Sequence, residues 1–232
     1  MPGLKQAGKI AHDRLKTHLG NYGYQPCRHT PALWMHATRT IYFTLVVDNF
    51  GVKYVVGQHL NHLINALRVQ YKIAVGLTGN SYLGVTINWN YAQGYVNISM
   101  PDYVRKALHE FQHPAPRQPT HLQSEWTAPA YGSRIQYAKP PDTSPPLEAD
   151  GITHVQRVVG KLLYYALAIN NTALVTLGNL GSEQPRSTKT TITEVTHLLN
   201  YMATHPDAKV RFYKSDMITH IHSDGSYLSA PW

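Results

Sequence analysis

Cysteine is nearly missing: Cys27 is the only one in 232 residues, so no internal disulfide can form. A lone thiol suits a reducing compartment. With His29 it still falls short of the four ligands that a structural zinc takes. Long apolar runs are missing too. The longest covers residues 41–47, far below the ~20 residues of a spanning helix. The opening residues, Met1-Pro2-Gly3-Leu4-Lys5-Gln6, offer no signal-peptide core. The expectation is an intracellular protein, neither secreted nor embedded in a membrane.

Negative charge is scarce as well. Asp and Glu number 13 against 21 Lys and Arg, a net charge of +8, and the excess is uneven. Residues 1–72 hold nine cations (5, 9, 14, 16, 28, 39, 53, 68, 72) against Asp13 and Asp48, while the rest nearly balances. A basic first third points to a polyanion such as nucleic acid, although a generic basic surface gives the same count. Fourteen histidines add positive charge below about pH 6.5. At 43% hydrophobic content the chain has enough apolar material for one large domain or two small ones.

The chain is organised around Phe43-Thr44-Leu45-Val46-Val47-Asp48-Asn49-Phe50-Gly51-Val52-Lys53-Tyr54. Two β-branched, apolar runs flank Asp48-Asn49, which predicts a β-hairpin with those two residues at its exposed turn. Taken alone, Asp-Asn is ordinary turn chemistry. Upstream, Ala7, Ile10, Ala11, Leu15 and Leu19 form the apolar stripe of a helix that Gly20 and Gly23 end. Prolines break residues 24–34 into short extended pieces. Downstream, Leu60, Leu63, Ile64, Leu67 and Tyr71 predict a helix from about His59 to Gln70. His59 and His62 lie three apart on it, a spacing that could suit a metal, but no third ligand is near in sequence, so the expectation is a solvated helix face.

Residues 81–89 and 94–99 read as two strands around a turn. Pro101 at a first helical position opens a helix with Tyr103, Val104, Ala107, Leu108 and Phe111. Eight of the fifteen prolines lie between Pro114 and Pro146, an irregular connector whose Trp126, Tyr131 and Tyr137 would anchor it to a surface. Three helices follow over about 153–169, 172–183 and 189–204, sharing a core of Leu162, Leu163, Tyr164, Leu167, Leu174, Leu177, Leu180, Val195, Leu198, Leu199 and Tyr201. Gly160-Lys161 lacks the glycine-rich preamble and following Ser/Thr of a phosphate loop. The end alternates like strands at 209–213 and 217–226, with His220 and His222 on one face.

Phe43 to Gly51, followed by Val52-Lys53-Tyr54, resembles the catalytic hairpin of Ty1/copia-type reverse transcriptases. That hairpin carries two adjacent aspartates; here Asp48 keeps the first and Asn49 stands in place of the second. The resemblance runs from Gly3 to Tyr227 with the motifs in family order. Gly3-Leu4-Lys5-Gln6-Ala7-Gly8 is similar to the turn and helix bordering the incoming nucleotide and template, apart from Lys5 where proline is usual. Tyr82-Leu83-Gly84 resembles the primer grip, the helix after Pro101 the start of the thumb, and Val159 to Ala166 the tether to ribonuclease H. Ser223-Asp224-Gly225-Ser226-Tyr227 looks like the first ribonuclease H strand, with Asp224 at its first metal-binding carboxylate.

The resemblance implies an α+β fold: an incomplete palm (1–99), a thumb-like helix (100–125), a Pro-rich connector (126–152), a helical connection (153–208) and the opening of a ribonuclease H-like domain (209–232). It implies RNA-directed DNA polymerisation with Mg²⁺, on an RNA template, a DNA primer and their RNA–DNA hybrid, in a cytoplasmic particle or nucleus. Gln6, Gly8 and Lys53 would border nucleotide and template, and Asp48 would hold metal. The family uses a further aspartate from an earlier strand, which would precede Met1. Asn49 offers a carbonyl oxygen without charge, so the expectation is a truncated or degenerate copy with little or no activity. The alternatives are a catalytically dead nucleic-acid-binding remnant and a fragment without function.

Overall fold

The computed structural model describes residues 6–125, 142–216, 218–219 and 221–223. The fold is α+β. Its described residues divide into two compact units, with the boundary between Leu83 and Gly84.

In the first unit, helix α1 (Ala7–Gly20) precedes strands β1 (Tyr24–Cys27), β2 (Thr30–His36), β3 (Ile41–Val46) and β4 (Asn49–Tyr54). Helix α2 (Gly57–Arg68) and the short strand β5 (Ser81–Tyr82) follow. Strands β1 to β4 form an antiparallel meander in chain order. Along β3, Ile41, Phe43 and Leu45 are buried while Tyr42 and Val46 face out, the period of two that a half-buried strand requires. Leu19 of α1 and Leu63 and Leu67 of α2 close the core over Tyr24, Trp34 and Phe43. The Trp34 and Phe43 rings stack with centroids 5.7 Å apart.

The hairpin is present, but its turn is not where the Asp-Asn pair suggests. Val46 pairs with Asn49, so the two loop residues are Val47 and Asp48, and Asn49 already belongs to β4. The core sets this register. Leu45 pairs with Phe50 and Phe43 with Val52, all on the buried side. A slip of one residue would turn one strand's apolar set to solvent. The cost falls on Val47, forced to φ 56.

The second unit opens with the hairpin β6 (Val85–Asn90) and β7 (Tyr95–Ser99). Residues 81–89 do not make one strand, because Leu83 (φ 49) and Gly84 (φ 77) interrupt it with two left-handed residues, the signature of a tight turn. Helices α3 (Tyr103–Glu110), α4 (Ala149–Ala168), α5 (Leu174–Glu183) and α6 (Lys189–Thr204) follow, and then β8 (Lys209–Tyr213). The three expected helices are there, with α4 starting at Ala149 inside the stretch read as connector. Their core is Val155, Val158 and Leu162 of α4, Leu177 and Leu180 of α5, and Val195, Leu198 and Met202 of α6. Helix α3 begins at Tyr103 rather than Pro101, because Asp102 takes a left-handed conformation (φ 60) that ends the preceding turn.

Thr188 caps α6 in a capping box with Thr191. The Asp142 carboxylate accepts from the Thr188 and Thr190 hydroxyls of the same helix start. Strand β8 pairs antiparallel with β7, Ile98 opposite Val210, as part of this unit's sheet. Trp126, Tyr131, Tyr137, His220 and Asp224 lie outside the described residues. No helix among the described residues is long and apolar enough to cross a membrane.

Candidate catalytic hairpin

The β3–β4 hairpin lifts Asp48 into solvent at its tip, and the Asn49 amide Nδ2 donates to Asp48 Oδ1 at 3.1 Å. Val47, just before it, is 90% exposed. A β-branched residue at positive φ is an outlier that costs on the order of 1–3 kcal/mol and persists only where its surroundings over-determine it. Here the paired strands do so.

Cross-strand pairs Tyr42–Lys53, Thr44–Gly51 and Val46–Asn49 place Lys53, Gly51 and Asn49 on one outer face of the hairpin. Tyr82 of β5 covers the middle of that face. Its hydroxyl lies 2.8 Å from Thr44 Oγ1, and its ring lies so close to Gly51 that an added Cβ would sit 3.0 Å from Cζ and 2.8 Å from Thr44 Oγ1. The structure therefore brings together two motifs read separately in the sequence, the hairpin and the Tyr82 piece. Thr44 and Gly51 are the residues that the sequence reading missed. A glycine inside a strand was the available signal, because it marks a close approach by another group.

Gln6 and Gly8 stand elsewhere. Both are exposed at the start of α1, where the Gln6 carbonyl accepts from Ile10 N–H at 3.0 Å. Helix α1 contacts β1, the strand at the opposite edge of the sheet from β4. Nothing among the described residues joins them to Asp48. Arg105 and Lys106 are both exposed on α3. Arg105 is already paired with Asp102 at 3.3 Å and with Asp207.

The donor set does not fit two Mg²⁺ ions. Mg²⁺ is held by carboxylate oxygens in near-octahedral geometry, and residues 6–83 contain only two carboxylates: Asp48 at the hairpin tip and Asp13 on α1. Among the described residues no group of three or more His, Cys, Asp or Glu side chains could hold a metal ion. The same stretch carries eight Lys and Arg, and among the described residues no ion pair falls in it. Its surface is thus basic and largely uncompensated.

Comparison with protein-family models, with curated proteins and with solved structures gave no match.

Proposed function

We propose that this chain is a portion of a copia-type reverse transcriptase, comprising the catalytic hairpin, a thumb-like helix and a helical connection. On the residues it carries, it holds template and primer without extending the primer. The observation that carries this reading is the seating of Tyr82 on Thr44 and Gly51. A primer-grip tyrosine fixed against the strand pair that presents Asp48 is the arrangement a polymerase palm needs to set a primer end beside its carboxylates. The uncompensated basic surface of the first unit supports a nucleic-acid partner. A single hairpin carboxylate with a neutral Asn49 argues against two-metal nucleotidyl transfer.

The test is one assay in two parts. With an RNA template, a labelled DNA primer, deoxynucleotides and Mg²⁺, the chain is expected to add no nucleotide, and Asn49→Asp alone is expected to add none. Binding to the same template–primer is expected to weaken linearly in log–log form as salt rises. Nucleotide addition by the unaltered chain overturns the non-extending half of the reading. Failure to bind at low salt overturns the nucleic-acid half.

A further inference from the structure

A second cluster in the first unit lies apart from the hairpin tip and carries a different chemistry. The turn between β2 and β3 supplies Arg39 and Thr40, the end of β2 supplies His36, and α2 supplies His59 and His62 one turn apart. His36 Nδ1 accepts from the backbone N–H of Thr38 at 3.0 Å and of Arg39 at 3.2 Å, which fixes the turn and leaves the imidazole proton on Nε2. The His36 and His62 rings lie 5.3 Å apart. His59 Nδ1 meets Thr40 Oγ1 at 3.2 Å, and His62 Nδ1 meets the Tyr24 hydroxyl at 3.0 Å. These contacts leave Nε2 of His59 and of His62 without a protein partner among the described residues. Arg39 Nε is buried and has no acceptor.

Among the described residues, the groups facing this cluster are basic or neutral: Tyr24 from β1, Tyr22 with its ring 6.3 Å from His62, His36, Arg39, Thr40, His59 and His62. The only carboxylates in residues 6–83 sit on α1 and at the hairpin tip. A permanently charged guanidinium excludes a cation here. Two imidazoles whose Nε2 atoms have no protein partner among the described residues, beside a guanidinium whose buried donor lacks an acceptor, are instead suited to an anion with several acceptor oxygens.

We infer that Arg39, His59 and His62, backed by His36, form a binding site for a phosphate group. Arg39, His59 and His62 are all half-buried. Burial, and next the Arg39 charge, hold His36 and His62 below the usual histidine range. A bound dianion reverses that bias, so phosphate binding and imidazole protonation reinforce each other. The inference rests on neither Asp48 nor the polymerase reading. Its phosphate is either free or part of a nucleic-acid backbone.

The test uses the full chain with ¹³C-labelled histidine, titrated with acid in inorganic phosphate and in chloride at equal ionic strength. The His62 titration is expected to move to higher pH in phosphate only, and phosphate is expected to bind more tightly at pH 6 than at pH 8. Arg39→Gln should weaken phosphate binding about tenfold, the scale of one charge-assisted contact. Should Arg39→Gln fail to fold, His59→Gln gives the same readout with a smaller loss. A single-stranded 12-mer that displaces phosphate assigns the site to a nucleic-acid backbone; phosphate binding without displacement assigns it to free phosphate. Equal titrations in phosphate and chloride, or phosphate binding unchanged in His59→Gln, overturn the site. Loss of template–primer binding with intact phosphate binding overturns the polymerase reading alone.

Discussion

The hydroxyl of Tyr24 and Nδ1 of His62 lie 3.0 Å apart in the first unit, one of them having to donate and the other to accept. Burial pushes the Tyr24 hydroxyl up to about 12, so it keeps its proton. Burial and then Arg39 push His62 down, so its Nδ1 is free to accept at neutral pH. Protonated His62 would turn that acceptor into a donor beside a guanidinium.

A dependence of stability on pH follows. His36 and His62 titrate lower in the folded chain than in the unfolded one. Below about pH 6.5 the unfolded state therefore binds more protons, and stability rises with pH there. The contribution is whole above about 6.5 and is lost as pH falls towards the depressed folded values. The urea midpoint in chloride buffer should be lower at pH 5.5 than at pH 7.5, and phosphate should narrow that gap. Equal midpoints at the two values would contradict it.

Gly51→Ala should destabilise the chain by about 1–3 kcal/mol, the usual cost of overpacking. The new methyl meets Thr44 Oγ1 and the Tyr82 ring at once. A double-mutant cycle is the measurement. In the Tyr82→Ala background the penalty should shrink, and an unchanged penalty would mean that the ring does not set the constraint.

Val47→Gly should stabilise the hairpin by on the order of 1 kcal/mol, because glycine takes φ 56 without steric cost. Val47 is exposed, so little burial is lost in exchange. The thermal midpoint should rise. A fall would mean that the added freedom of the unfolded chain outweighs the relieved strain.

The Asp142 carboxylate is held down to about 2, first by the Thr188 hydroxyl and next by Ser144. An acid with a depressed folded value stabilises above its unfolded pKa, and that stability disappears as pH falls through the folded one. Asp142→Asn should therefore lower the urea midpoint at pH 6, and the difference from the unaltered chain should close between about pH 4 and 2. A gap that persists at pH 2 would assign the effect to shape rather than charge.

The sequence was most legible where one period dominates. Helices α4, α5 and α6 follow from leucine spacing that only a 3.6-residue repeat explains. Leu162, Leu177, Leu180, Val195, Leu198, Leu199 and Tyr201 are buried as expected, whereas Leu163, Tyr164 and Leu167 of α4 are exposed. It was least legible where local and distant preferences conflict. Asp48-Asn49 is the better local turn, yet pairing Leu45 with Phe50 and Phe43 with Val52 moves the turn back onto Val47. At Pro101 a good first helical residue is followed by a left-handed Asp102 that no periodicity announces. Among the candidate site residues, Asp48 is exposed at the tip as expected, and Asn49 and Lys53 share the hairpin face that Tyr82 covers. The partners of His59 and His62 could not be read, because Arg39 and His36 reach them from another element.

Strand β8 pairs with β7 across the whole of residues 100–208. During synthesis the β6–β7 hairpin therefore leaves the ribosome with one edge bare and keeps it bare until the last helix has been made. At about 5–20 residues per second that interval is on the order of ten seconds. An open β-edge over such a time is a template for another nascent chain. The yield of soluble protein should thus depend on translation speed and on chaperone supply more than on the stability of the finished fold.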